Sequence, residues 1–126
     1  PGVDQKNRSR KFVVTVSSQQ LDNDIWLISL QGRLDQSLNP QLEQSLGELL
    51  DEGHERFIID LTKATYINSG GLRCLVTGWR RSREQGGDLV IFGLNNRLQE
   101  IFSLVGFDRV FQIYISFEDA QRHIFP

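Results

Sequence analysis

Apolar and polar positions alternate over residues 12–18, and after the turn Leu21-Asp22-Asn23-Asp24 a second, more apolar strand runs over residues 25–31. That period of two predicts a half-buried first strand, and the pair reads as a hairpin. The period then lengthens. Leu42, Leu46, Leu49 and Leu50 share one helical face behind Asn39 and Pro40, the expected cap and first-turn proline, and Gly53 marks the end of that helix. Residues 57–61 form an apolar run broken only by Asp60, the mark of a strand covered on both faces and lying at the centre of a sheet. After a short polar link, Leu72, Leu75, Val76 and Trp79 return to helical spacing, so a helix begins near Ser69 and runs to Gln85, where Gly86 and Gly87 stop it. Residues 89–92 predict a short strand. Leu98, Ile101, Phe102 and Val105 give a further helical stripe closed by Gly106, residues 111–115 a last strand, and residues 116–125 a final helix capped by Ser116. Strands alternating with helices predict an α/β fold: a mostly parallel central sheet of about five strands, with an N-terminal hairpin and about four helices joined by right-handed crossovers.

This order puts Ser69 at a helix N-terminus. The first N–H groups of a helix lack intrahelical partners and carry partial positive charge, so a serine cap or an anion is equally welcome there. Two readings follow. Ser69 either caps the helix or serves as an exposed functional hydroxyl, and Gly70 and Gly71 favour the second: they cost about 1 kcal/mol each relative to alanine, a cap does not need them, and they leave the hydroxyl uncrowded. Partners of open sheets gather at the carboxyl ends of parallel strands. The loop bearing Asp35 and Ser37, the turn at Ser69 and the segment Gly93-Leu94-Asn95-Asn96 all converge on that edge.

The 126 residues suffice for one domain with its own core. Residues 1–11, polar and without period, predict a disordered lead or cloning remnant; residues 12–126 predict the folded domain. A net charge of −2 and a pI near 5.7 offer no excess of cations for a phosphate backbone, which argues for a protein partner and against nucleic acid. No stretch approaches the roughly 20 apolar residues of a membrane span, so direct membrane insertion is not expected. The polar start lacks a signal-peptide pattern, and the expected location is the cytoplasm. Cys74 is the lone cysteine and is expected near the helix surface as a small contact residue.

Catalysis finds little support. His54 and His123 both lie away from any position where a base could pair with Ser69, and cysteine and histidine are too few for zinc, so no enzyme activity and no cofactor are expected. Asp60 is expected at the strand terminus, accepting hydrogen bonds from the loop that presents Ser69. Asp35 is either a partner contact or part of a turn. Arg73, Thr77, Arg80 and Arg81 fall at helical spacing on the other side from the apolar stripe and predict a basic, exposed strip beside Ser69.

Several segments together carry a family resemblance. Asp60-Leu61-Thr62 followed by Tyr66-Ile67-Asn68-Ser69-Gly70-Gly71-Leu72 resembles the D-L-S…D-S-S-G-L signature of STAS domains of the anti-sigma factor antagonist type. Leu30-Gln31-Gly32-Arg33-Leu34-Asp35 is similar to the family's G-E-L-D segment, and Gly86-Gly87-Asp88-Leu89-Val90 and residues 104–111 to its later motifs. The resemblance implies a non-enzymatic regulator of transcription that binds a partner which is both anti-sigma factor and serine kinase, with Ser69 as the phosphate acceptor and a serine phosphatase to reverse the mark. It implies a partner surface of Asp35, Asn68, Ser69, Gly70, Gly71, Arg73, Thr77 and Arg80. Asn68 replaces the motif's aspartate and Gly70 its second hydroxyl residue, which leaves open an alternative: a non-phosphorylated scaffold in a stressosome, a lipid-transport complex or a transporter. A nucleotide or anion pocket at the Ser69-Gly70-Gly71 turn is a third reading. A monomer or weak homodimer is expected.

Overall fold

The computed structural model describes residues 15–124. The predicted lead, residues 1–11, the first part of the predicted first strand, residues 12–14, and Phe125 lie outside the described residues. Five strands form one sheet in the order β1 (Thr15–Gln20), β2 (Ile25–Leu34), β3 (Arg56–Ile67), β4 (Asp88–Phe92) and β5 (Gln112–Tyr114). β1 and β2 are antiparallel and every later pair is parallel, as the alternation predicts. Four helices, α1 (Asn39–Asp51), α2 (Ser69–Glu84), α3 (Asn96–Leu104) and α4 (Phe117–Ile124), accompany them.

With strands laid side by side in chain order, crossovers of one hand must place their helices on one face. The core follows that rule. Leu42, Leu46 and Leu49 of α1, Leu72 and Leu75 of α2, and Leu98 and Phe102 of α3 pack on Ile28, Leu30, Phe57, Ile59, Leu61 and Ile91 of the sheet. α4 closes the other face, where Ala120 and Ile124 meet Ile25, Ile58, Val90 and Phe92. Burial of each such leucine, isoleucine, valine or phenylalanine contributes about 1.5–3 kcal/mol, and β3, buried from both faces at Phe57, Ile58 and Ile59, holds the centre.

Three expectations are corrected. The polar link after residue 61 is strand, for β3 runs on to Ile67 beside an equally extended β2. Pairs Ser29↔Asp60, Gln31↔Lys63, Gly32↔Ala64 and Arg33↔Tyr66 give β3 one extra residue at each of two register shifts. Each shift reverses the alternation of faces, so Leu61, Ala64 and Ile67, three apart, all enter the same core. That spacing matches neither strand nor helix, which hid the extension. Val105, read as part of an apolar helical stripe, is 48% exposed because α3 ends at Leu104, and the last strand, predicted over residues 111–115, covers only Gln112–Tyr114 and leaves Ile115 90% exposed. Asn39 does not cap α1: Leu38 occupies that position without a side-chain bond, and the Asn39 side chain turns elsewhere.

Candidate functional site

β2 and β3 end together, Leu34 opposite Ile67, and the Asn68 N–H donates to the Leu34 carbonyl at 2.9 Å. Asn68 is extended, with φ −101° and ψ −178°, and its Oδ1 accepts from the Gly71 N–H at 3.0 Å. This is the N-cap of α2. The cap therefore belongs to Asn68, and the reading of Ser69 as the capping residue is corrected. Ser69 is the first helical residue and is exposed, with its hydroxyl outside the cap's hydrogen bonds.

The two glycines have a tighter cause than clearing space around Ser69. A Cβ on Gly70 would lie 2.8 Å from Asn39 Nδ2, and one on Gly71 would lie 2.8 Å from Ile67 Cγ1 and 3.0 Å from Asn39 Oδ1. Asn39 fills the groove between the two helix starts. It is 9% exposed, and its Nδ2 donates to Asn68 Oδ1 at 2.9 Å, so one oxygen serves both the cap and this cross-link. Asn39 Oδ1 is buried with no partner. Sequence reasoning missed this residue, since Asn-Pro at a helix start reads as an ordinary cap and nothing local ties residue 39 to residue 68.

Asp35 stands in a turn beside the same edge. Its Oδ1 accepts from the Ser37 N–H at 2.9 Å and its backbone carbonyl from the N–H groups of Leu38 and Asn39 at 3.0 and 2.8 Å. The Ser37 N–H, with help from the Arg33 guanidinium at 3.4 Å, holds the Asp35 carboxyl below the usual carboxylate range. Arg33 also lies over the Tyr66 ring, 4.1 Å from its centroid. Asn95, from the third predicted loop, caps α3 through its bond from Leu98 N–H at 2.8 Å and donates from Nδ2 to Ala64 O at 3.3 Å. The first two loops therefore lie together where β2 and β3 end, whereas β4 ends earlier, at Phe92 opposite Asp60, and the third loop joins β3 at Ala64, short of that edge.

Along α2, Ser69, Arg73, Thr77 and Arg80 are exposed and share one stripe. Arg81 departs from it, paired to Asp51 of α1 at 2.7 Å. Gly71 is buried, so its part is close packing. Cys74 is a second correction on this helix: it is half-buried against α1 in a cavity of about 180 Å³ with Leu46, Gly47 and Leu50, and burial pushes its thiol up. Asp60 lies within β3, not at its end, where Oδ1 accepts from Thr62 N–H and Oγ at 2.9 and 2.7 Å and Oδ2 from Ser29 Oγ at 3.4 Å. It braces the first register shift. His54 bonds Asp24 through Nδ1 at 2.9 Å, and His123 lies 3.6 Å from Asp88; both belong to elements away from the Ser69 turn. No helix of the described residues is long and apolar enough to cross a membrane.

Comparison with known proteins agrees with this architecture. The STAS domain family model matches residues 17–120. BtrV of Bordetella bronchiseptica, provisionally named an anti-sigma factor antagonist, is 34% identical over 91 residues, which cover 72% of this chain and 78% of that protein. The anti-sigma-B factor antagonist of Bacillus subtilis is 29% identical over 100 residues, 79% of this chain and 90% of its own length. Among solved structures, an anti-sigma factor antagonist from Mycobacterium paratuberculosis shares the fold with a TM-score of 0.80 at 22% identity, covering 88% of this chain and 93% of that one.

Proposed function

The chain belongs to the STAS domain family, and from that premise we propose that it is a cytoplasmic, non-enzymatic anti-sigma factor antagonist whose binding is switched by phosphorylation of Ser69. The observation that carries this reading is the division of labour at the start of α2. Asn68 supplies the cap, so the Ser69 hydroxyl is exposed and free of any structural duty in the turn. A side chain so placed can gain a phosphate without the helix losing a bond.

The energetics favour a switch of binding over a switch of fold. A phosphate brings about two negative charges, which a helix N-terminus favours by roughly 0.3–1 kcal/mol. Inside a close interface the same charge costs several kcal/mol, and each 1.4 kcal/mol is a factor of about ten in affinity. The partner proposed is an anti-sigma factor that is also a serine kinase, meeting the edge formed by Asp35, Asn68, Ser69 and Gly70 and continuing along Arg73, Thr77 and Arg80. Those two arginines suit an acidic surface on it. A serine phosphatase reverses the mark.

The variants of Ser69 test this. Ser69→Ala is expected to keep the thermal midpoint and the binding of the anti-sigma factor while abolishing phosphorylation. Ser69→Asp is expected to keep the fold and weaken that binding about a hundredfold in a calorimetric titration. Equal binding by wild type and Ser69→Asp would sink the switch. It would favour the scaffold reading, in which Asn68 and Gly70, departing from the family's motif, mark a turn no longer used as an acceptor.

A further inference from the structure

We infer that Asn39 is the positioning residue of the Ser69 turn, and that Gly70 is present because Asn39 occupies the space a side chain at position 70 would need. Asn39 sits in the first turn of α1 yet does nothing for its own helix: α1 has no side-chain cap bond, and the nearby turn is closed by the Asp35 carbonyl. Its amide is spent across the gap. Nδ2 donates at 2.9 Å to the same Asn68 oxygen that accepts from Gly71 N–H at 3.0 Å, which orients the Asn68 side chain into its cap. Free of that donor, the Asn68 amide can rotate away from Gly71, and the backbone bearing Ser69 loses its anchor to the rest of the molecule.

Two further observations bind Asn39 to the glycines. A Cβ at Gly70 would come to 2.8 Å from Asn39 Nδ2, closer than a carbon and an amide nitrogen tolerate, and one at Gly71 to 3.0 Å from Asn39 Oδ1. Asn39 Oδ1 is buried and unpartnered. A buried acceptor without a donor is a cost, and the molecule bears it to keep Nδ2 on Asn68. The turn therefore accepts either asparagine at 39 or a side chain at 70. Replacement of the family's second hydroxyl residue by Gly70 follows from packing, and it leaves Ser69 the single hydroxyl of the turn.

This inference gives the Ser69 reading its structural support and rests on that reading only for its functional weight. A double-mutant cycle with Asn39→Ala and Gly70→Ser, followed by urea unfolding of the purified protein, tests the matched pair. Gly70→Ser is expected to lower the folding equilibrium constant in the wild-type background and to be neutral or favourable beside Asn39→Ala, a difference of about tenfold, or 1.4 kcal/mol. The same effect of Gly70→Ser in both backgrounds would overturn the inference. Asn39→Asp, equal in size but without the donor, separates positioning from filling. In it, and in Asn39→Ala, the Gly71 amide is expected to exchange its hydrogen about tenfold faster while the Ile58 and Val90 amides of the central sheet keep their rates. An unchanged Gly71 rate would contradict the inference. The two readings fail separately: a Ser69 never phosphorylated in cells overturns the switch and leaves Asn39's hold on the turn intact, whereas an additive cycle overturns that hold whatever Ser69 carries.

Discussion

At the scale of single residues, the start of α2 assigns different tasks to neighbours that look alike in sequence. Asn68 and Ser69 are both good caps, and geometry gives the cap to Asn68 because its extended backbone turns Oδ1 back onto Gly71 N–H. Asn68→Ala is expected to cost more than the usual ~1 kcal/mol of a lost cap, since it also strands the buried Asn39 amide. Asn68→Asp keeps both acceptor bonds and adds charge where the helix dipole favours it, so its thermal midpoint is expected to match or exceed that of wild type. Asp35 gives a pH test. Its carboxyl is held low mainly by the Ser37 N–H, so the stabilisation of its turn is full above the usual carboxylate range and is lost as pH falls through the lowered value. The Ser37 amide resonance is expected to follow that titration. Ser69 was legible from sequence because an apolar stripe follows it at once. Asn39 was not, since its partner lies 29 positions away.

At the scale of elements, the alternation of strands and helices and the antiparallel first pair are visible in the hydrophobic period, whereas the order of the strands in the sheet comes from the structure. The extension of β3 is not visible in that period either. Leu61, Ala64 and Ile67 reach one core only because two extra residues are inserted between them, a feature of pairing with β2 that no local pattern contains. The crossing of α1 and α2 is similarly non-local. A Cβ on Gly78 would overlap the Leu46 side chain, so this glycine lets Leu46 of α1 pack directly against the α2 backbone. Gly78→Ala gains helix propensity of about 1 kcal/mol but drives its Cβ into Leu46 and against Leu89, an overpacking that costs about 1–3 kcal/mol. Net destabilisation in urea unfolding is expected.

At the scale of the whole molecule, the sheet is covered by α1, α2 and α3 on one face and α4 on the other, and Asp35, Asn68 and Ser69 lie where β2 and β3 end together. A layered body with Ser69 exposed at a helix start suits regulation by local charge, without a change of fold. The switch turns on one covalent mark, a phosphate on Ser69. Its most direct test is tandem mass spectrometry of the protein isolated from its own cells during growth and under stress. Phosphate on Ser69 whose occupancy changes between the two conditions is the predicted result; a Ser69 that stays bare in both would contradict the switch.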